Sequence, residues 1–133
     1  MDMGKIIQKA KITSFIDSAA KNKTAEFDID FLVDTGAAML CLPIDIIEKL
    51  GLTERNTREV ITANGKVFRR IFSPVRIVVA DRDADMNVME LPIGTPPLMG
   101  YLVLESLDLY PDPKNQRLTG NPAHDGKMIM DLL

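Results

Sequence analysis

The stretch FLVDTGAAMLCLP, residues 31–43, decides how this chain is read. It closes a run, EFDIDFLVD, in which Phe27, Ile29, Phe31 and Val33 point one way and Glu26, Asp28 and Asp30 the other. That period of two is the mark of a half-buried strand. Asp34 stands at its end, followed by Thr35, Gly36, Ala37 and Ala38, and AAMLCLP then turns apolar again as a second short strand. A carboxylate between two apolar runs is costly if it is buried without a partner. Asp-Thr-Gly is also a competent turn, because Asp bonds its own backbone readily. Asp34, however, projects from a rigid element. Thr35 offers a hydroxyl to lock the loop, Gly36 permits a sharp turn and a close approach, and the two alanines leave room.

Beyond this stretch the period changes. Pro43 fixes a helical φ for a first turn, IDIIEKL has apolar residues at helical spacing, and Gly51 stops the helix. REVITANGKVFRRI, residues 58–71, predicts a hairpin with a type I′ turn at Asn64-Gly65, where both central residues need positive φ. SPVRIVVA alternates Val75, Ile77 and Val79 against Arg76; DRDAD (residues 81–85) reads as a solvated turn, and MNVMELPI as a strand. GTPP breaks the chain before LMGYLVLESLDL, which holds a short helix at about residues 101–107, and YPDPKNQRL reads as strand, turn and strand. Residues 5–16 give a weak strand signal, SAAKNKTAE is a polar turn, and the tail TGNPAHDGKMIMDLL joins turn residues to an apolar end. The expectation is one mostly-β domain over residues 1–133, with a core of about 5–120 and a tail of 121–133. Many short strands between turns predict a closed β-barrel with one or two short helices.

Composition narrows the chemistry. With 133 residues, 46% of them hydrophobic and 26% charged, and a net charge of -3, the chain reads as one soluble domain. It has no basic cluster to hold nucleic acid; Lys66, Arg69, Arg70 and Arg76 fit a solvated strand face. The lone Cys41 permits no intrachain disulfide and reads as an inert core thiol. His124 is the only histidine and lies far off in sequence, so neither a zinc site nor a thiol enzyme is expected. Asp81, Asp83 and Asp85 are spaced like the start of a calcium loop but lack its Gly and Glu. No metal and no cofactor is expected. Without an apolar leader or a run of about 18 apolar residues, no membrane contact is expected and the protein is placed in the cytoplasm.

The ordered set of motifs resembles the retropepsin-like aspartic proteases, single-domain relatives of pepsin, in their bacterial and archaeal form. The resemblance spans roughly residues 5–120. It rests on Asp34-Thr35-Gly36-Ala37, on VITANGKVFRR, and on the apolar-apolar-Gly step Leu98-Met99-Gly100, with LESLDLYPDPKNQRL closing the set. Two positions depart from the family's pattern, and Tyr110, Pro111 and the apolar tail Met128 to Leu133 have no retroviral counterpart. Ala38 stands where members often carry Ser, Thr or Asp, and Tyr101 where retroviral members often carry Arg.

The resemblance implies an acid-protease barrel that works as a two-fold homodimer on polypeptides. Asp34 would be catalytic, Thr35, Gly36 and Ala37 would support its loop, and Leu98, Met99 and Gly100 would pack beside it. Ala63, Asn64 and Gly65 would form a flap over the substrate. Peptide hydrolysis by carboxylates needs two of them, one ionised and one protonated. The chain has a single Asp-Thr-Gly and no Asp-Ser-Gly, so a two-fold axis would have to supply the second. The alternative expectation is a dimer of the same fold that binds extended peptides or a protein partner without cutting them.

Overall fold

A computed structural model describes residues 5–15 and 25–129. The elements run β1 (Ile7–Ser14), β2 (Glu26–Val33), β3 (Leu40–Pro43), α1 (Ile44–Leu50), β4 (Glu54–Thr62), β5 (Gly65–Val79), β6 (Arg82–Leu91), β7 (Leu98–Met99), α2 (Tyr101–Leu107), β8 (Leu109–Asp112) and β9 (Arg117–Gly120). A 3₁₀ turn, Pro122–His124, follows. The polar turn read over residues 18–26 falls almost wholly outside the described residues, as does the end of the apolar tail, residues 130–133.

Seven strands pair in the order β1-β2-β7-β3-β6-β5-β4, and β1 pairs with β5 as well. That last pairing closes the ring β1-β2-β7-β3-β6-β5 into a barrel and leaves β4 as a flange on β5. β5 does both jobs because it is 15 residues long. Its second half pairs with β1 and β6, while its first half pairs with β4 beyond the barrel. The change of role falls at a bulge between Phe72 and Val75. Pro74 lies within it and could not have donated to a regular ladder.

The alternation seen in the sequence fills the barrel. Ile12, Phe31, Leu40, Leu42, Val75, Ile77, Val88 and Met99 are at most 1% exposed and form one cluster. Val103 and Leu107 of α2 and Ile47 of α1 join it. α1 ends where expected: Gly51 takes the left-handed conformation at φ 69°, and its N–H closes on Glu48 and Ile47 oxygens.

Two local expectations are corrected. DRDAD is not a turn. The reversal is confined to Ala80 and Asp81, with Ala80 at φ 55°, and Arg82 to Asp85 already belong to β6. Asp83 and Asp85 project together toward Arg76, whose Nε lies 3.1 Å from Asp85 Oδ1. The hairpin tip is also shifted: Thr62 pairs with Gly65, so the two-residue turn is Ala63-Asn64. Only Gly65 has positive φ there, at 109°, and Asn64 does not. A side chain completes this tip in place of a type I′ turn. Thr62 Oγ1 accepts from the Asn64 N–H at 3.2 Å and donates to the Gly65 oxygen at 2.8 Å.

Candidate active site

β2 delivers Asp34 to the end of the barrel. The short strand β7 runs parallel to β2, pairing Leu32 with Leu98 and Val33 with Met99, and antiparallel to β3, pairing Leu40 with Met99. Leu98-Met99 is thereby threaded between the two strands that flank the Asp34 loop. The Asp34 N–H donates to the Met99 oxygen at 3.0 Å, and the Ala37 N–H donates to the Asp34 oxygen at 3.1 Å.

Gly100 makes this threading possible. Its N–H donates to the Met39 oxygen, and the next two N–H groups, of Tyr101 and Leu102, donate to the Ala37 and Ala38 oxygens at 2.9 and 3.0 Å. The first turn of α2 thus caps the carbonyls of the loop. A Cβ on Gly100 would meet Met39 O at 2.5 Å and Ala37 O at 2.7 Å, both backbone atoms. No side chain fits there.

The Asp34 carboxylate is half-buried, and Thr35, Gly36 and Ala38 are exposed. Asp34 is therefore not enclosed by apolar residues, as the flanking sequence implied; it opens onto a surface. The Gly36 N–H donates to Asp34 Oδ1 at 2.9 Å. Gly36 serves by its bareness, since a Cβ would sit 3.2 Å from that same oxygen. Its φ is not positive, so turning freedom is not what the loop requires of it. No group of three or more His, Cys, Asp or Glu able to hold a metal occurs among the described residues.

Cys41 lies behind the loop, 4% exposed. Burial first, and the nearby Asp34 charge second, push its thiol up to about 11, so it stays protonated and unreactive. The hairpin tip lies apart. Ala63, Asn64 and Gly65 are exposed at the far end of β4 and β5, and no hydrogen bond among the described residues joins them to the Asp34 loop.

Two charged clusters escaped the sequence reading. Arg70, taken for a solvated residue, makes a fork to Glu90, with Nε to Oε2 and Nη2 to Oε1 both at 2.9 Å. It also reaches Glu54 at 3.3 Å and lies over the Phe72 ring. The Arg70 hydrogen bonds hold the Glu90 carboxyl below its usual range. Arg82, inside the supposed acidic turn, is 9% exposed. It donates to the Leu107 and Asp108 oxygens at 2.8 and 2.7 Å, which end α2, and to the Gly126 oxygen. Asp108 in turn accepts from His124 Nδ1 at 2.6 Å, Asn121 Nδ2 at 3.1 Å and the Ile129 N–H at 3.1 Å. These contacts tie the segment from Asn121 to Ile129 to the body. Partners separated by 13 to 44 residues leave no local pattern from which to read them.

This barrel, with an Asp-Thr-Gly loop buttressed by an apolar-apolar-Gly strand, is a retropepsin-like fold. The EIAV protease complexed with the inhibitor HBY-793 superposes with a TM-score of 0.56 at 17% identity, covering 77% of this chain and 88% of that one. The simian foamy virus (mac) protease aligns over 74% of this chain and 90% of its own, with a TM-score of 0.48 and 17% identity. No curated protein matches significantly. The family described as "gag-polyprotein putative aspartyl protease" matches residues 22–106, more than half of the chain. The chain belongs to that aspartyl protease family.

Proposed function

We propose that this protein is an aspartic endopeptidase whose active form is a two-fold homodimer, with Asp34 of each subunit meeting at the axis. The observation that carries the reading is the half-open Asp34 loop. One carboxylate per chain stands at a strand end, its backbone N–H bonded to the Met99 oxygen and its Oδ1 accepting from the Gly36 N–H, on a surface where a second copy can approach. Two carboxylates a few ångströms apart cannot both ionise easily and share one proton. The ionised member takes a proton from water as the water attacks the peptide carbonyl. The protonated member gives its proton to the carbonyl oxygen. The tetrahedral intermediate then breaks at the C–N bond as the carboxyl that took the water proton passes it to the leaving nitrogen. The other carboxylate takes a proton from a hydroxyl of the intermediate, which restores the shared proton.

Thr35, Gly36 and Ala37 are assigned to support of the loop, and Leu98, Met99 and Gly100 to its packing. Ala63, Asn64 and Gly65 are assigned to a flap that closes on an extended peptide and excludes water. Ala38 supplies no hydroxyl to the carboxylates, which favours a second reading, a peptide-binding dimer without efficient cleavage. A peptide-library cleavage assay from pH 3 to 8, with wild type and Asp34→Asn side by side, separates the two. Turnover that Asp34→Asn abolishes supports the protease; no wild-type turnover, or equal turnover in both, sinks it.

A further inference from the structure

The sheet presents two faces around the Asp34 loop. Leu40, Leu42, Phe72 and Val88 fill the barrel. Cys41, Met89 and Ile71 are in register across β3, β6 and β5, so they share the opposite face. Cys41 and Ile71 are buried there outside the main core, and the Cys41 thiol feels the Asp34 charge. Leu32 pairs with Leu98 and Leu98 with Cys41, so both lie on this face, and Asp34, two residues beyond Leu32, continues it. Counting by twos along β5 from Ile71, the face continues up the hairpin through Arg69 and Val67. The ladder carries it across to their partners Arg58 and Val60. Val60, Val67 and Arg69 are partly covered, whereas Ile61 and Phe68 on the other face are 83% and 68% exposed.

Arg58 and Arg69 are thus directly opposed in register, two like charges side by side on the face turned toward Asp34. Such a pair destabilises a hairpin. Among the described residues no acidic side chain lies within ion-pair distance of either: Arg70 and Lys66 take Glu54, Glu90 and Glu59. Glu90, the acid whose ionisation Arg69 also favours, is committed to the Arg70 fork. Arg69 donates only to the neighbouring Phe68 oxygen, at 3.3 Å. A folded chain retains a like-charged pair without a contacting acid at a cost, and an anion bound on this face offsets that cost.

We propose that Arg58 and Arg69 form a subsite for an acidic side chain of the bound peptide, beside an apolar subsite made by Val60, Val67 and Met89. This rests on the protease reading for the site, but it concerns binding and is tested by binding. The probes are fluorescein-labelled octapeptides with a central Leu-Phe pair and either Glu or Gln at each flanking position in turn. Anisotropy titrations at pH 6, where glutamate is ionised, use the full chain carrying Asp34→Asn, with and without Arg58→Gln and Arg69→Gln. At one or two positions, Glu peptides should bind about fivefold tighter than their Gln partners, the scale of an exposed ion pair. The preference should vanish in the double arginine variant and shrink in 0.5 M salt.

Equal affinities, no measurable binding, or a preference that survives both substitutions would overturn the proposal. So would a melting temperature lowered by Arg58→Gln alone, since that would make the pair structural. Wild-type cleavage of the same peptides distinguishes the two claims. Cleavage without a Glu preference ends the subsite and leaves the protease; selective binding without cleavage does the reverse.

Discussion

Gly100 carries the Asp34 loop, and nothing larger can do so. A valine there would drive its β-carbon into the Met39 and Ala37 carbonyl oxygens. Those atoms are backbone, bonded to the N–H groups of Gly100 and Tyr101, and cannot turn aside as a side chain would. Gly100→Val should cost about 3 kcal/mol or more, read as a lowered melting temperature together with a disordered loop; a stable, fully active variant would refute the placement. Asp34→Asn makes the opposite prediction, chemistry lost and fold kept. Wild-type rate should follow a bell with an acidic optimum. Below the lower apparent pKa of the carboxylate pair no base remains, and above the upper one no acid remains. Because Ala38 cannot hydrogen-bond the ionised form, the acid limb should move to lower pH in Ala38→Ser. A flat wild-type curve from pH 3 to 8 would remove the shared-proton mechanism.

Helix α2 works as a strut between two anchors. Its first turn is bonded to the loop carbonyls of Ala37 and Ala38, and its last carbonyls are held by Arg82. Asp108, beyond the helix, collects His124, Asn121 and the Ile129 N–H. The His124 hydrogen bond foremost, against some desolvation, brings the Asp108 carboxyl down to about 2. The unfolded chain titrates this group near about 4. A carboxylate depressed by folding stabilises above its unfolded value and loses that contribution as pH falls through the folded one. Asp108→Asn should therefore melt below wild type at pH 6, and the gap should narrow as pH falls from about 4 toward 2. A gap independent of pH would show that the charge of Asp108 is not what holds the tail. Arg82→Met should melt lower at every pH in that range, because it removes the guanidinium hydrogen bonds to three backbone carbonyls. Among the described residues only that of Asp108 keeps a second donor, the Asn121 N–H.

An isolated subunit leaves Thr35, Gly36 and Ala38 exposed around a single carboxylate. Sedimentation of the wild-type protein should give a dimer, and Asp34→Asn should give the same dimer, since the substitution removes charge but not surface. A monomer at high micromolar concentration would remove the partner that the chemistry requires. Among the described residues no helix is long and apolar enough to cross a membrane.

The strands and both helices were legible in the chain because each follows a local rule, whereas the place of the buttressing segment came from the family resemblance. Alternation placed Phe31, Val75 and Ile77 inside, Gly51 ended α1, and Leu98-Met99-Gly100 kept its place beside Asp-Thr-Gly. Where short-range preference competes with pairing, the reading failed. DRDAD looks like a solvated turn, yet its residues Arg82 to Asp85 are claimed by the β5 ladder, and Asn64-Gly65 yields its turn to a register set one residue earlier. The charges were least legible. Arg70 looks like a solvated side chain until Glu90 is brought to it from 20 residues away, and Arg82 until the last carbonyls of α2 arrive. Periodicity and turn chemistry act over a few residues, so the linear chain carries them. Which acid meets which base depends on strands joined across the barrel, and only the closed fold brings those partners within a few ångströms.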